Sequence, residues 1–256
     1  MHGAETQFLV GLEGTEVHTD AKTYLQLPSQ TWVITEKLDE TSLVMTQKDM
    51  DHGGLDPPFA AAKFLCHRKD DPTKKPAFLR IYHQIPIAGT EFSNSRIRAN
   101  QAVPPIDHPE LDTLKMLKEK NCKVVPDLLG YQEGQQGDDG IVPSGFSTCV
   151  VWDKVPGEPL TQEYFWNKKP LTRKAIREEF RRVYQQLVRY GVQPRMPTST
   201  KLIYDELTGT MHISGFQNAG PIDSTQKWSD TNYVLYDLAK RPPRPDWYLD
   251  SSGWEF

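Results

Sequence analysis

The chain has 256 residues, which is enough for one large domain or for two lobes that share an interface. Hydrophobic residues make up 37% of it and aromatic residues 10%, a composition typical of a globular protein and not of a disordered one. The formal net charge of −4 excludes a general attraction to nucleic acid or to anionic lipid, so neither is predicted as a partner.

No segment of the sequence is predicted to cross a membrane. Residues 1–12 contain no basic stretch followed by an apolar run, and no later stretch approaches the roughly 18 consecutive apolar residues of a membrane span. Cys66, Cys122 and Cys149 are odd in number and widely separated, a pattern typical of neither a disulfide framework nor a zinc site. We therefore predict a soluble cytoplasmic protein with buried thiols, no metal and no cofactor.

The first half of the chain is rich in predicted strands. Residues 1–30 are polar with little periodicity, so they are predicted to form either loosely attached structure or a short covering segment. Beyond them, β-branched and aromatic residues favour two antiparallel pairs, the first of which is a hairpin with a polar turn at residues 37–40. The four predicted strands are residues 31–35, 41–46, 59–68 and 77–85.

One predicted helix interrupts these strands. Pro109 lies at a favourable first-turn position, Glu110 lies near the positive end of the helix dipole, and leucines recur at helical spacing over residues 107–120. Strands at residues 124–132 and 146–155 follow, joined by a glycine-rich acidic loop. The first half therefore reads as a strand-rich layer with one inserted helix.

The second half of the chain is predicted to be mainly helical. Two prolines and a glycine in Val155-Pro156-Gly157-Glu158-Pro159-Leu160 mark the predicted boundary. An amphipathic helix at residues 172–191, a hairpin of strands 202–205 and 211–214, and a helix at 230–239 follow it. The predicted fold class is α+β, with segregated strand and helix layers. The predicted regions are a polar segment at 1–30, an N-lobe at 31–155, a reduced C-lobe at 156–241, and an aromatic, proline-rich tail at 242–256 that packs against the body.

The segment from Leu187 to Ala219 contains the most informative pattern in the sequence. A helix that ends at Gly191-Val192 leads through a short connection into a hairpin and then into a small-residue stretch. The order and spacing of these pieces carry the pattern, since no single short motif does. In sequence the pieces are Pro194-Arg195-Met196, Lys201-Leu202-Ile203-Tyr204-Asp205, Thr208-Gly209 and Ile213-Ser214-Gly215-Phe216-Gln217-Asn218-Ala219.

This succession resembles that of the protein-kinase-like superfamily, in which His-Arg-Asp precedes a catalytic Asn and Asp-Phe-Gly follows the second strand. The phrase at residues 155–160 is similar to the segment after the hinge in aminoglycoside and choline kinase relatives. The resemblance covers about residues 31–239 and is closest to the degenerate kinase-like proteins common in fungi. It implies a two-lobed fold with an antiparallel N-lobe that contains one helix, a hinge, and a helical C-lobe.

The resemblance also implies that the usual catalytic groups are lost. Met196 stands where the family has its catalytic Asp, Lys201 where it has the metal-binding Asn, and Gly215 where it has the Asp of Asp-Phe-Gly. Arg80 takes the place of the strand lysine, with Glu110 as the candidate helix partner, although Arg80 could equally extend from a strand edge into solvent. Residues 43–60 contain Gly53-Gly54 but no glycine-rich phosphate loop. Asp205, Asp223 and Asp230 are nearby acids, and Asp205 fits a structural role in its turn better than a catalytic one.

The candidate binding residues are those that the resemblance places around an interlobe cleft. His83 and His212 lie on predicted strands that would border this cleft and are weaker candidates. A basic run on the helix at 172–191 is explained by a solvated helix face. The ligand-binding candidates are Arg80, Glu110, Tyr82, Trp152, Lys201, Phe216 and Gln217.

Three functions remain open at this point. The favoured one is a catalytically deficient kinase-like protein, a pseudokinase, that acts as a binding or regulatory module. The second is a kinase-like scaffold repurposed to bind or convert an organic small molecule in its cleft. The third is an atypical phosphotransferase. The predicted partner is accordingly an unidentified protein or an organic small molecule.

Overall fold

The computed structural model describes residues 6–256, which form two compact units. The first unit comprises the chain up to Asp107 together with Leu128–Lys154, and the second comprises His108–Asp127 together with Val155–Phe256. Helices and antiparallel strands both occur, as the predicted α+β class requires. None of the helices in the described part of the chain is long and apolar enough to cross a membrane.

The first unit is built on a six-stranded antiparallel sheet in the order β1-β2-β3-β4-β6-β5. The pair β3 and β4 confirms the predicted strands at 59–68 and 77–85, and Lys63 lies opposite Arg80 in its register. Two short helices, α1 (Gln47–Asp51) and α2 (Ser95–Ala99), lie in the connections. The strands are β1 (Glu16–Thr19), β2 (Gln30–Leu43), β3 (Phe59–Arg68), β4 (Pro76–Gln84), β5 (Leu128–Gln135) and β6 (Phe146–Asp153).

The predicted hairpin at residues 31–46 is wrong, because β2 continues through it as one strand of 14 residues. Its pairing with β3 is irregular between Ile34 and Glu36 and between Lys37 and Asp39, and only the second irregularity lies in the predicted turn at residues 37–40. The polar residues there have another purpose. The Glu40 carboxylate accepts backbone N–H groups of residues 8 and 9, at 2.6 and 3.1 Å, and pairs with the Lys37 ammonium at 2.6 Å. These residues therefore hold the N-terminal segment and do not form a turn.

Of the two alternatives predicted for residues 1–30, loose attachment is wrong for the part that the structure describes, while residues 1–5 lie outside that part. Strand β1 pairs with β2, and Leu9, Leu25 and Leu27 are buried. The hydroxyl of Thr19, in β1, accepts a hydrogen bond from the Trp32 indole N–H at 3.2 Å. The apolar residues of this segment follow neither a helical nor a strand period, so the pattern gave no sign of its burial.

The core of the first unit lies on one face of the sheet. It contains large side chains such as Trp32, Phe64 and Leu79, together with Cys66 and Cys149. Burial raises the pKa of both thiols to about 12, so they remain protonated and unreactive at neutral pH. All three cysteines are free and buried, as predicted.

Helix α3 (Pro109–Glu119) confirms the predicted helix, but the structure places it outside the predicted lobe of residues 31–155. Its leucines are buried within the second unit, where it packs against the 3₁₀ turn Phe216–Asn218. The backbone N–H of Ile213 donates to the Val124 carbonyl at 2.9 Å, which ties the chain after the helix to the same unit. Packing of this apolar face, which sequence order does not reveal, assigns the helix to the second unit.

The rest of the second unit consists of helices and two small sheets. Helix α5 (Pro170–Val188) confirms the predicted amphipathic helix and presents buried residues such as Ile176, Phe180 and Leu187. The sheets have the orders β10-β9-β7 and β11-β8. The remaining elements are β7 (Glu158–Pro159), α4 (Gln162–Trp166), β8 (Val192–Pro194), β9 (Leu202–Asp205), β10 (Thr210–Ile213), β11 (Ala219–Pro221) and α6 (Thr231–Leu235).

The predicted last helix, residues 230–239, is shorter than expected. Helix α6 ends at Leu235 because Asp237 adopts a left-handed backbone conformation, with φ of 60°, and the Leu238 N–H turns back to the Tyr233 carbonyl at 2.7 Å. The tail packs as predicted. The ring of Phe256 lies 6.4 Å from that of Tyr233, and Trp254 donates its indole N–H to the Trp247 carbonyl.

The attachment of β1 can be tested by removing the buried acceptor of Trp32. Thr19 and Trp32 are 0% and 1% exposed, so Thr19→Val keeps the shape but leaves a buried indole N–H without its acceptor. We expect the free energy of unfolding to fall by about 1–3 kcal/mol in urea denaturation. Thr41→Val, at an exposed position of β2, is the matched control and should change stability by less than about 0.5 kcal/mol. Equal losses in both variants would contradict the assignment.

Candidate functional site

The segment from Val192 to Pro221 lies in the second unit, and its two ends lie side by side. It leaves helix α5 through Gly191, whose φ of 79° suits glycine. Its first and last strands, β8 and β11, pair in antiparallel register, with Pro194 opposite Ala219. The hairpin of β9 and β10 lies between them and confirms the predicted hairpin. The pieces that carry the family resemblance are therefore brought together in space.

Met196 lies at the first position where the resemblance expects a catalytic acid. Its backbone is left-handed, with φ of 53°, and its side chain is 74% exposed. A thioether has no proton to give and is a weak acceptor, so it cannot act as a general base. This position presents an apolar side chain to solvent where a kinase would orient its nucleophile.

Lys201 and Gly215 form the central contact of the segment. The Lys201 ammonium donates to the Arg195 carbonyl, and its own carbonyl accepts from the Ser214 N–H at 2.8 Å and from the Ser214 hydroxyl at 3.1 Å. Burial lowers the pKa of Lys201 from its ordinary value. The side chain thus links the chain before the hairpin to the chain after it.

Gly215 has no room for a side chain beside this lysine. Its φ is 82°, and a Cβ built on it would lie 2.9 Å from both Cγ and Cδ of Lys201. Both the backbone conformation and the lysine stem therefore disfavour a larger residue here. The position where the resemblance expects a metal-holding Asp is thus occupied by the aliphatic part of Lys201.

Asp237 supports the segment from outside it and escaped the sequence analysis. Its carboxylate accepts the backbone N–H and the hydroxyl of Ser199, at 3.3 and 3.4 Å, and Ser199 is buried. The Asp237 carbonyl accepts the indole N–H of Trp166 at 3.2 Å. Because Ser199 and Asp237 lie 38 residues apart, no spacing in the sequence indicates the contact.

Four predicted site residues lie in the second unit. Phe216 is buried in the 3₁₀ turn that packs against α3, and Gln217 is half-buried beside it. Glu110 is buried in the first turn of α3. The fourth, Lys201, contacts Gly215, which is the residue immediately before Phe216 in the chain. The structure therefore brings Lys201 and Phe216 into one segment and places the helix of Glu110 against it.

The other three predicted site residues lie in the first unit. The Arg80 guanidinium lies over the Trp152 ring, 5.4 Å from its centroid, and the Lys63 ammonium lies 5.9 Å from the same ring. Tyr82 is almost fully buried, with its ring 6.0 Å from that of Phe59. Strand β4 thus carries a cation stacked on an aromatic ring at the position expected for the strand lysine.

The two histidines have structural surroundings. Strand alternation places His83 on the face of β4 opposite to Arg80 and Tyr82. Burial lowers its pKa to about 4, so it is neutral at physiological pH. His212 is half-buried in β10 opposite Ile203.

The nearby acids serve local structure. Asp205 accepts the Leu207 N–H at 3.0 Å and the Thr208 hydroxyl at 2.7 Å, and these bonds lower the pKa of its carboxyl. Asp223 caps its own turn through Thr225 in the same way, and Asp230 accepts the Trp228 indole N–H at 2.6 Å. Within residues 6–256, no three His, Cys, Asp or Glu side chains converge as a metal site would require.

A cavity of about 410 Å³ borders the segment within the second unit. Arg195 and Met196 line one side of it, and Asn232 and Tyr236 of the α6 region line another. Gln193 and Tyr184 contribute to the wall, joined by a hydrogen bond of 3.2 Å from the tyrosine hydroxyl. The lining mixes amide, guanidinium and aromatic groups, a combination suited to holding a small polar ligand.

Comparison with known proteins gives likeness of structure only. No protein-family model matches the chain, and no curated protein matches it in sequence. The PK-1 kinase of Cydia pomonella granulovirus is 13% identical, with a TM-score of 0.44 over 75% of this chain and 53% of its own. The chain therefore spans about half the length of that kinase. WaaP, solved in complex with acyl carrier protein, is 13% identical, with a TM-score of 0.40 over 73% of this chain and 75% of its own.

The contact between Lys201 and Gly215 can be measured with two glycines. Gly215→Ala should cost more than about 1–2 kcal/mol of unfolding free energy, because left-handed strain adds to displacement of the lysine stem. Gly209→Ala is the matched control, since Gly209 has φ of 70° and nothing within 4 Å of a Cβ.

In the Lys201→Ala background, the cost of Gly215→Ala should fall to that of Gly209→Ala, as measured by urea denaturation. Equal costs for the two glycine variants in the wild-type background would contradict the contact.

Proposed function

We propose that this chain is a catalytically deficient protein-kinase-like protein that acts as a binding or regulatory module. The succession of elements supports the kinase-like part. An antiparallel sheet has one long helix before its last two strands, and a helical unit with a catalytic-type hairpin follows. Function must be argued from the site, since a fold hosts many activities.

The single observation that carries the proposal is the Lys201 stem lying over Gly215. Kinases hold magnesium with a carboxylate and an Asn, and these ions neutralise the phosphates during transfer. At the matched positions this chain has a half-buried lysine, Lys201, and a glycine, Gly215, neither of which supplies an oxygen ligand from its side chain, and a Cβ on Gly215 would lie 2.9 Å from the lysine stem. Magnesium requires near-octahedral oxygen ligation and gives up water reluctantly, so this pair cannot hold it.

Met196 adds a second, independent loss. Even with a nucleotide bound, an exposed thioether would leave a substrate hydroxyl without a base to orient it. Asp205 does not compensate, because its carboxylate is committed to the turn at Leu207 and Thr208. Loss of both metal ligation and the base favours a role in binding over a role in phosphoryl transfer.

A second candidate function is binding of an organic small molecule on the same scaffold. The cavity beside Arg195 and Met196 favours it, because its volume of about 410 Å³ falls in the range of small-molecule sites. Asn232 and Gln193 supply amide groups that could fix a ligand's orientation, and Tyr236 supplies an aromatic surface. The partner in either case remains an unidentified protein or an organic small molecule.

The proposal is tested by the effect of ATP on thermal unfolding, measured with and without magnesium. We expect no increase in the midpoint temperature from adding Mg²⁺ to millimolar ATP. A nucleotide present at 100 times its dissociation constant would stabilise the folded state by about 2.7 kcal/mol, which this assay readily detects. Magnesium-dependent stabilisation would contradict the proposal, and transfer of labelled phosphate from ATP would favour an atypical phosphotransferase instead.

A further inference from the structure

A second cavity of the second unit has a lining rich in positive charge. It lies between one stripe of helix α5 and the loop that precedes α6, and its volume is about 410 Å³. Arg181, Tyr184 and Val188 recur on α5 at helical spacing and form one wall. Lys227 and Trp228 form the facing wall. Neither Lys201 nor Gly215 contributes to it, although Tyr184 and Gln226 line both this cavity and the cavity beside Met196.

The lining carries three cations and no acidic side chain. Arg181, Arg189 and Lys227 all border the cavity, with Ser224 and Thr225 supplying hydroxyl groups. Two other cations of α5 form ion pairs on the helix, Arg182 with Glu179 at 2.7 Å and Lys174 with Glu178 at 3.9 Å. In the described residues, none of the three cavity cations lies within 4.0 Å of a carboxylate oxygen in an ion pair. The basic run of α5 is therefore not uniformly solvated, and part of it converges with Lys227.

The cavity also has a fixed aromatic wall. The Arg181 guanidinium lies 5.4 Å from the centroid of the Trp228 ring, and the Tyr184 ring meets that of Trp228 edge-on at 5.8 Å. The Trp228 indole N–H donates to the Asp230 carboxylate at 2.6 Å, which sets the orientation of the ring. A guanidinium stacked in this way keeps the N–H groups on its edge available to donate hydrogen bonds to an anion's oxygens.

The two acids near this loop are already engaged. Asp223 accepts the N–H and the hydroxyl of Thr225, at 2.9 and 2.7 Å, and these bonds lower the pKa of its carboxyl. Asp230 is bonded to Trp228. Both carboxylates therefore act within the loop, and neither belongs to the cavity lining.

We propose that this cavity binds a small organic phosphate. The phosphate would lie on Arg181, Arg189 and Lys227. These three positive charges suit a phosphate dianion better than they suit the single negative charge of a carboxylate. The organic group would lie against Trp228 and Tyr184, and the volume suits a small molecule. This inference does not depend on the proposed function, since it concerns no residue matched to kinase catalysis.

The test uses phenyl phosphate as the probe, titrated into the full chain by isothermal calorimetry. Inorganic phosphate and phenol are titrated in parallel. We expect saturable binding of phenyl phosphate, weaker binding of inorganic phosphate and none of phenol, because the cations supply most of the affinity. Arg181→Gln and Lys227→Gln should each weaken phenyl phosphate about tenfold. Arg182→Gln is the matched control, since it removes the same charge from the same helix outside the cavity and should change affinity less than twofold.

Three results would overturn the inference. The first is the absence of phenyl phosphate binding at millimolar concentration. The second is an equal loss of affinity in Arg181→Gln and Arg182→Gln, which would indicate general attraction by the helix. The third concerns Lys227. Lys227 lies in an exposed loop, so Lys227→Gln decides the question if Arg181→Gln fails to fold. Unchanged affinity in a folded Lys227→Gln variant would likewise remove the site.

Discussion

The arrangement of the second unit around the β9–β10 hairpin depends on the contacts that Lys201 makes. Lys201 lies across Gly215 with its stem and gives its ammonium to the Arg195 carbonyl, while its carbonyl accepts from Ser214. One residue thus fixes the chain before the hairpin and the chain after it. Partial burial of a cation is costly unless it is hydrogen-bonded, so the Arg195 carbonyl supports the position of the lysine ammonium. The same contact places the lysine stem where a side chain on residue 215 would extend.

In both units, polar side chains form hydrogen bonds with backbone groups that are distant in the sequence. Glu40 holds the backbone at residues 8 and 9, Asp237 holds Ser199, and Gln136 bridges carbonyls of Gln84 and Phe146 while accepting from Val142. Each satisfies backbone groups that neither a helix nor a sheet ladder would reach. These contacts position irregular segments, whereas the regular elements are positioned by apolar burial. The segment at residues 192–221, which resembles the catalytic segment of kinases, is positioned in part by such polar contacts.

Elements with strong periodicity could be predicted from the sequence, and those fixed by long-range contacts could not. Helices α3 and α5, the pair β3 and β4, and the β9–β10 hairpin were all found from local patterns, because their apolar spacing specifies which face is buried. The turn expected at residues 37–40 failed because its charges serve the N-terminal segment. Helix α6 ended early because of the left-handed conformation of Asp237, which no local rule requires.

The same division applies to the candidate site. The order and spacing of the motifs identified Met196, Lys201 and Gly215 as the positions of interest. When the order of motifs is kept, a residue that differs from the expected one can be recognised from the sequence alone. The direction of the Lys201 stem and the support from Asp237 depend on tertiary packing and were not visible. The convergence of Arg181 and Lys227 in one cavity was hidden for the same reason, because they belong to separate elements.

We propose that Lys201 and Gly215 prevent a metal–nucleotide complex from binding in the segment at residues 192–221. The most direct measurement is paramagnetic broadening of backbone amide signals by Mn²⁺, with ATP present, in the isotope-labelled protein. The account predicts that Lys201, Ser214, Gly215 and Phe216 broaden no more than residues remote from the segment. Selective loss of these four signals, reversed by excess Mg²⁺, would contradict it.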